Sequence, residues 1–96
     1  MTNEEMTLEE QLRKNIGKHI RGIRKLKGMS VDDLAYYSEI NRSYIGDLER
    51  GEANISLFYL YKISIGLNLP SPLELTFEAE KVIYTELKEE LWKEKY

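Results

Sequence analysis

Apolar residues at three- and four-residue spacing run from Leu8 through Leu12, Ile16, Ile20 and Ile23 to Leu26, the period of one helix face. Thr7 with Glu10 three residues on predicts a capping box at the start of this helix, and Lys27-Gly28 predicts its end. Ser30 with Asp33 starts a second, short helix that turns Leu34 and Ala35 inward and ends near Ser38. After a break through Glu39 and Ile40, Asn41 caps a third helix carrying Tyr44, Ile45 and Leu48, and Gly51 stops it. Ser56 opens a fourth, in which Leu57, Leu60, Ile63 and Ile65 are expected to be buried and which Gly66 and Asn68 close. Ser71-Pro72-Leu73-Glu74 combines a serine cap, a proline at the first helical position and a glutamate at the third. From Glu78 to Lys95 helix is favoured again, with Ala79, Ile83, Tyr84, Leu87 and Leu91 on one stripe and Val82, Trp92 and Tyr96 on another side. No stretch alternates with period two, so the pattern predicts an all-α fold.

Composition narrows the chemistry. The 96 residues suit one compact domain with a short extension, and 42% apolar with 32% charged residues is the mixture of a folding chain. There is no cysteine and a single histidine, His19, which excludes disulfide scaffolds and thiolate metal sites and disfavours a histidine-based triad. No metal site, cofactor or small-molecule substrate is evident. Asp32-Asp33 and Glu89-Glu90 are adjacent on helices and diverge, so neither makes an acid/base dyad, and no enzyme is expected. No apolar run approaches the ~18 residues of a membrane span, and residues 1–10 are acidic where a signal peptide is basic; the expected location is cytoplasmic, with no membrane partner.

The net charge of −3 hides an uneven distribution. Residues 1–12 carry four acids and no cation, residues 13–50 nine cations against five acids, and residues 51–96 five cations against eight acids. A basic island therefore lies between acidic ends, and its local field is what a polyanion would meet.

The island holds the most informative segment, Lys27–Glu52: a short helix, a tight turn and a second short helix. Two helices crossing steeply need a small residue at the contact, supplied by Ala35, and apolar wedges at Ile40, Ile45 and Leu48. With Gly28-Met29-Ser30, Asp33-Leu34-Ala35, Tyr44-Ile45, Leu48-Glu49-Arg50-Gly51, Leu60-Tyr61-Lys62-Ile63 and Ser71-Pro72-Leu73-Glu74-Leu75 in order, residues 15–77 resemble the Xre-type, lambda-repressor-like helix-turn-helix regulators. The resemblance implies a five-helix DNA-binding domain, here with an N-terminal helix extension and an additional C-terminal helix, whose third helix enters the major groove. It implies base reading by Arg42 and Ser43 with Tyr44 and Asp47 alongside, and a structural ion pair between Arg24 and Glu49. Asp47 either accepts from cytosine or repels phosphate. Three positions depart from the pattern: Val31 replaces the common glutamine that braces the recognition helix, Glu39 stands where glycine is common, and Glu52 places an acid in the following loop.

Charge and placement assign phosphate contacts to Lys25, Lys27, Asn41 and Arg50. One such unit spans too few base pairs to specify a site, so a homodimer on a palindromic operator is expected, acting as a repressor. Residues 1–77, with the motif at 30–50, form the DNA-binding domain in this reading, and residues 78–96 a dimerising helix that draws on Val82, Ile83, Leu87, Leu91, Trp92 and Tyr96: either Ala79, Ile83, Leu87 and Leu91 cover the domain's own core and leave Val82, Trp92 and Tyr96 for a partner, or the reverse. The rival reading is a protein-interaction module, such as an antitoxin or regulatory subunit, with secondary or no DNA binding.

Overall fold

Side-chain caps set most of the helix starts. In the computed structural model, which describes residues 5–93 and 95, Thr7 Oγ1 accepts from the Glu10 amide at 3.1 Å and α1 runs Leu8–Leu26. Ser30 and Asp33 bond each other's backbone reciprocally at 2.9 and 2.8 Å, opening α2 at Val31–Ser38 with a complete capping box. Asn41 Oδ1 accepts from the Ser43 amide at 2.8 Å to start α3, Arg42–Glu49, and Ser56 Oγ accepts from the Tyr59 amide to start α4, Leu57–Gly66. Ser71 Oγ accepts from the Leu73 amide where α5, Leu73–Ala79, begins.

The chain does not break after α5. Glu80–Tyr84 forms a π-helical turn and α6 follows at Thr85–Trp92, with right-handed helical dihedrals at every junction. The boundary expected between residues 77 and 78 thus falls in the middle of a continuous helix. Ala79 and Ile83 are buried, whereas α6 buries no residue and packs mainly on the turn before it. Ile83, expected at a partner surface, is instead covered by the protomer's own core. The stripe divides between the two alternatives: Ala79 and Ile83 lie inside and Leu87 and Leu91 outside, because the helix outruns the domain and its wide turn shifts the phase. Tyr96 lies outside the described residues.

Ile20, Leu34, Ile40, Ile45, Leu48, Ile63, Leu67 and Leu75 make the central core, one or more from each of the first five helices and the turn between α2 and α3. Two expectations for α4 fail: Leu57 is 65% and Ile65 70% exposed, and Leu67, just past the helix, fills the core. Leu26, at the end of the first apolar stripe, is also exposed. The buried Ser38 and Ser64 hydroxyls donate to the carbonyls of Leu34 and Leu60 at 2.6 and 2.8 Å, so neither leaves an unmet polar group inside.

Two glycines bring helices together. A Cβ at Gly66 would lie 2.8 Å from Ser38 Cβ, so α4 meets α2 closely through a glycine set against a serine. A Cβ at Gly17 would overlap the Leu48 carbonyl oxygen and lie 2.7 Å from that of Glu49, so α1 rests directly on the last turn of α3. Gly17→Ala should therefore lower stability by about 2 kcal/mol through overpacking, whereas Gly22→Ala, where nothing lies within 4 Å, should raise it by about 0.5 kcal/mol by restricting the unfolded chain. Urea denaturation of the two variants checks the pair; equal shifts would show that α1 and α3 can separate freely.

Candidate nucleic-acid interface

The geometry of α3 starts at the turn before it. Glu39 takes a left-handed conformation, φ 56° and ψ 41°, which costs a non-glycine residue about 1 kcal/mol. Its carbonyl accepts from Lys62 Nζ at 3.0 Å, and the same amine lies 5.7 and 5.4 Å from the ring centres of Phe58 and Tyr59. Lys62 therefore ties the turn to α4, a role that no sequence motif singled out. Ile40 then drops into the core and aims the chain into α3.

At its other end, α3 is fixed from behind. Arg24 of α1 donates from Nε to Glu49 Oε2 at 2.7 Å and from Nη2 to Oε1 at 2.9 Å, with side chains only 9% and 8% exposed. Its Nη1 donates to the Met29 carbonyl at 2.8 Å, joining the α1–α2 connection to the same guanidinium. The side-chain hydrogen bond with Glu49 raises the Arg24 guanidinium above its already high ordinary value, against a smaller lowering by burial. A raised folded-state pKa stabilises below the unfolded value, so this contribution is present at every working pH. Arg13 Nε and Lys14 Nζ donate to the carbonyls of Gly51 and Arg50 at 3.3 and 3.4 Å, covering the open end of α3.

The outward residues fall into different environments. Arg42 and Ser43 are exposed at the first turn of α3, and Arg42 Nε pairs with Asp32 Oδ1 of α2 at 2.7 Å. Tyr44, expected alongside the base readers, is half-buried. Its hydroxyl donates to the Asn54 carbonyl at 2.7 Å and its ring meets Tyr59 edge-on at 5.4 Å, because a ring at this position packs on the α3–α4 loop. Asp47 accepts from Arg50 Nη2 at 2.6 Å, and Arg50 Nε donates to Glu52 Oε2 at 3.0 Å. Gly46 leaves the space that the Arg50 guanidinium fills, 3.1 Å from where a Cβ would stand. The hydrogen bond to Glu52 is the main reason the Arg50 guanidinium is raised further. Of the expected phosphate contacts, Arg50 is thus already held by two acids and Asn41 caps α3 with its oxygen. Lys25 is exposed, and Lys27 reaches the Asn68 carbonyl at 3.4 Å. Among the described residues no group of three or more metal-ligating side chains gathers, and no helix is long and apolar enough to cross a membrane.

The sequence model of the helix-turn-helix family matches residues 20–73, more than half of the chain and all of α2, α3 and α4. The chain belongs to the helix-turn-helix family. It is 40% identical over 83 residues to the HTH-type transcriptional regulator SlrR of Bacillus subtilis, a match covering 81% of this chain and 52% of that protein, so the chain spans about half of that relative's length. It is 38% identical to the control protein C.BamHI of Bacillus amyloliquefaciens, over 65% of this chain and 78% of that one. Among solved structures, the restriction-modification controller protein C.AhdI of Aeromonas hydrophila superposes with a TM-score of 0.63 at 38% identity, covering 66% of this chain and 94% of that one. The five-helix, lambda-repressor-like architecture expected from the motif order is the one observed.

Arg24–Glu49 is the part of this interface that a stability measurement reads directly. Glu49→Ala strands a nearly buried guanidinium and should cost about 3 kcal/mol, while Glu52→Ala, which removes one arm of an exposed pair, should stay within about 0.5 kcal/mol. Denaturant midpoints compare them. A Glu49 variant as stable as the Glu52 variant would mean that Arg24 finds water when its partner is removed.

Proposed function

We propose that this helix-turn-helix regulator binds a palindromic operator as a homodimer, lays α3 in the major groove, and represses by occupying the site. The observation that carries the reading is the contrast across α3. Its inner side is locked to α1 by the Arg24–Glu49 pair, while Arg42 and Ser43 stand exposed at its N-terminal turn. A helix held from behind with exposed polar side chains at its first turn suits major-groove reading, in which arginine takes guanine bidentately. Lys25 and Lys27 serve as phosphate contacts, which position the protein without carrying sequence information. Tyr44 supports α3, and Asp47 sets the place of Arg50. The controller protein C.Esp1396I supports the reading: it has been solved as a tetramer in complex with its natural 35 base-pair operator, and this chain matches it with a TM-score of 0.66 at 34% identity over 76% of this chain.

Two exposed apolar surfaces compete for the dimer contact. One is α6 with the turn before it, where Val82, Leu87, Leu91 and Trp92 are all partly open to solvent; the end of a continuous helix that outruns its own domain and buries no residue gains stability from a partner. The other is the outer face of α4, with Leu57, Phe58, Tyr61 and Ile65. The assignment is to α6. These surfaces also sustain the rival reading as a protein-interaction module.

Selection from a random DNA pool tests the function. It should return two half-sites about one turn, or ~34 Å, apart, with affinity falling steeply as salt rises. Arg42→Ala should relax one position in each half-site, and Lys27→Ala should weaken all sequences alike; a pool with no enriched sequence favours the interaction module. Sedimentation of Leu91→Glu and Ile65→Glu locates the dimer contact better than truncation at residue 77, which would remove the buried Ala79 and Ile83. Dissociation of the Leu91 variant alone is expected. Dissociation of only the Ile65 variant moves the contact to α4, and a wild-type chain monomeric with and without DNA removes the dimer.

A further inference from the structure

Resting on the reading of Arg42 as a base reader, we infer that Asp32 is its positioning residue, the brace between α2 and α3 that sets the direction of the guanidinium and so the selectivity of the site.

Val31, at the first position of α2, carries no polar group that could steady α3. One residue on, the Asp32 carboxylate reaches across the turn and meets Arg42 at 2.7 Å, two side chains otherwise exposed to solvent. The atoms in contact matter more than the charges. Asp32 Oδ1 meets Nε, on the side of the guanidinium, rather than either terminal nitrogen. A bidentate contact with guanine O6 and N7 needs two parallel donors, and the terminal pair provides them.

The ordinary explanation for Asp32 is the helix dipole, since an acid in the first turn is favoured there. Asp33 already meets that preference in the capping box and bonds the Ser30 backbone. Asp32 has no such backbone bond, and its carboxylate instead meets Arg42 on the neighbouring helix. An arginine stem loses several rotatable bonds on binding, and a carboxylate that holds it beforehand removes part of that loss for the correct base only. Against DNA in general the same carboxylate is a cost, because it brings a negative charge toward phosphates.

The two effects have opposite signs, which separates a positioning role from damage to the fold. Asp32→Ala should bind random duplex DNA more tightly than wild type at the same salt. Its preference for the selected operator over one altered at the Arg42 base pair should fall about fivefold, a fraction of the discrimination a bidentate pair can give. In an Arg42→Ala background the same change should leave that preference unaltered. Glu52→Gln, which removes an acid near α3 without touching Arg42, serves as the charge control and should raise affinity for both DNAs equally. Competition binding by fluorescence anisotropy measures wild type, the three single variants and the Asp32→Ala/Arg42→Ala double variant. A selective wild type with an Asp32→Ala variant of unchanged or sharper preference overturns the brace; a loss of affinity for every duplex would show a structural role and overturn it as well. If wild type itself shows no preference for any sequence, the reading of Arg42 fails first and the brace with it.

Discussion

The orientation of α3 depends on one guanidinium. Arg24 is nearly buried, and a charge taken out of water destabilises a fold unless its donors are met. Here each of its three nitrogens has a partner: two donate to Glu49, at the end of α3, and one to the Met29 carbonyl, ahead of α2. Both helices of the motif are therefore referenced to the same point on α1. The geometry is possible only because Gly17 has no Cβ, which lets the last turn of α3 approach closely enough for the bidentate contact. Arg13 and Lys14 reinforce the contact by covering the carbonyls that the helix leaves open.

Outside that anchor, charge is arranged differently. Arg42 meets Asp32 and Arg50 meets both Asp47 and Glu52, so each guanidinium at the ends of α3 faces at least one acid. Such exposed pairs add little to stability. Their consequence is electrostatic: α3 itself, with Arg42 against Asp47 and Glu49, offers a polyanion no net positive charge, and the attraction of the basic island comes from the lysines and arginines around it. In the proposed function, affinity for DNA in general and discrimination among sequences then reside in different residues. The acidic total of −3 is compatible with that division.

What could be read from the sequence follows from how local each signal is. Helix starts are set by a cap within three residues, so Thr7, Ser30, Asn41 and Ser56 mark four helices in the sequence itself. The helix α4 defeated the same approach to burial. Leu57-Phe58-Tyr59-Leu60-Tyr61 is apolar or aromatic all round and gives no phase, and the face that turns inward was decided by the close approach of Gly66 to Ser38. The π-helical turn at Glu80–Tyr84 was equally illegible, since a wheel at a constant angle assumes that no such turn exists. In the interface, the Arg24–Glu49 pair followed from family resemblance alone, 25 residues being too far for any spacing rule. The contacts of Tyr44, Arg42 and Arg50 required rotamers and neighbours that only the folded chain supplies.

Glu39 shows how the remaining strain is accommodated. Glycine would fit its left-handed conformation more easily, yet the turn holds because Lys62 binds the Glu39 carbonyl while lying against the rings of Phe58 and Tyr59. Tyr59 in turn meets Tyr44, whose hydroxyl closes onto Asn54. The aromatic residues of α4 thus secure both the turn before α3 and the loop after it, while Arg24 secures the helix end from α1. With three attachments on its inner side, α3 can leave its outer side free of packing duties, and the side chains there are open to selection for what they contact rather than for what they support.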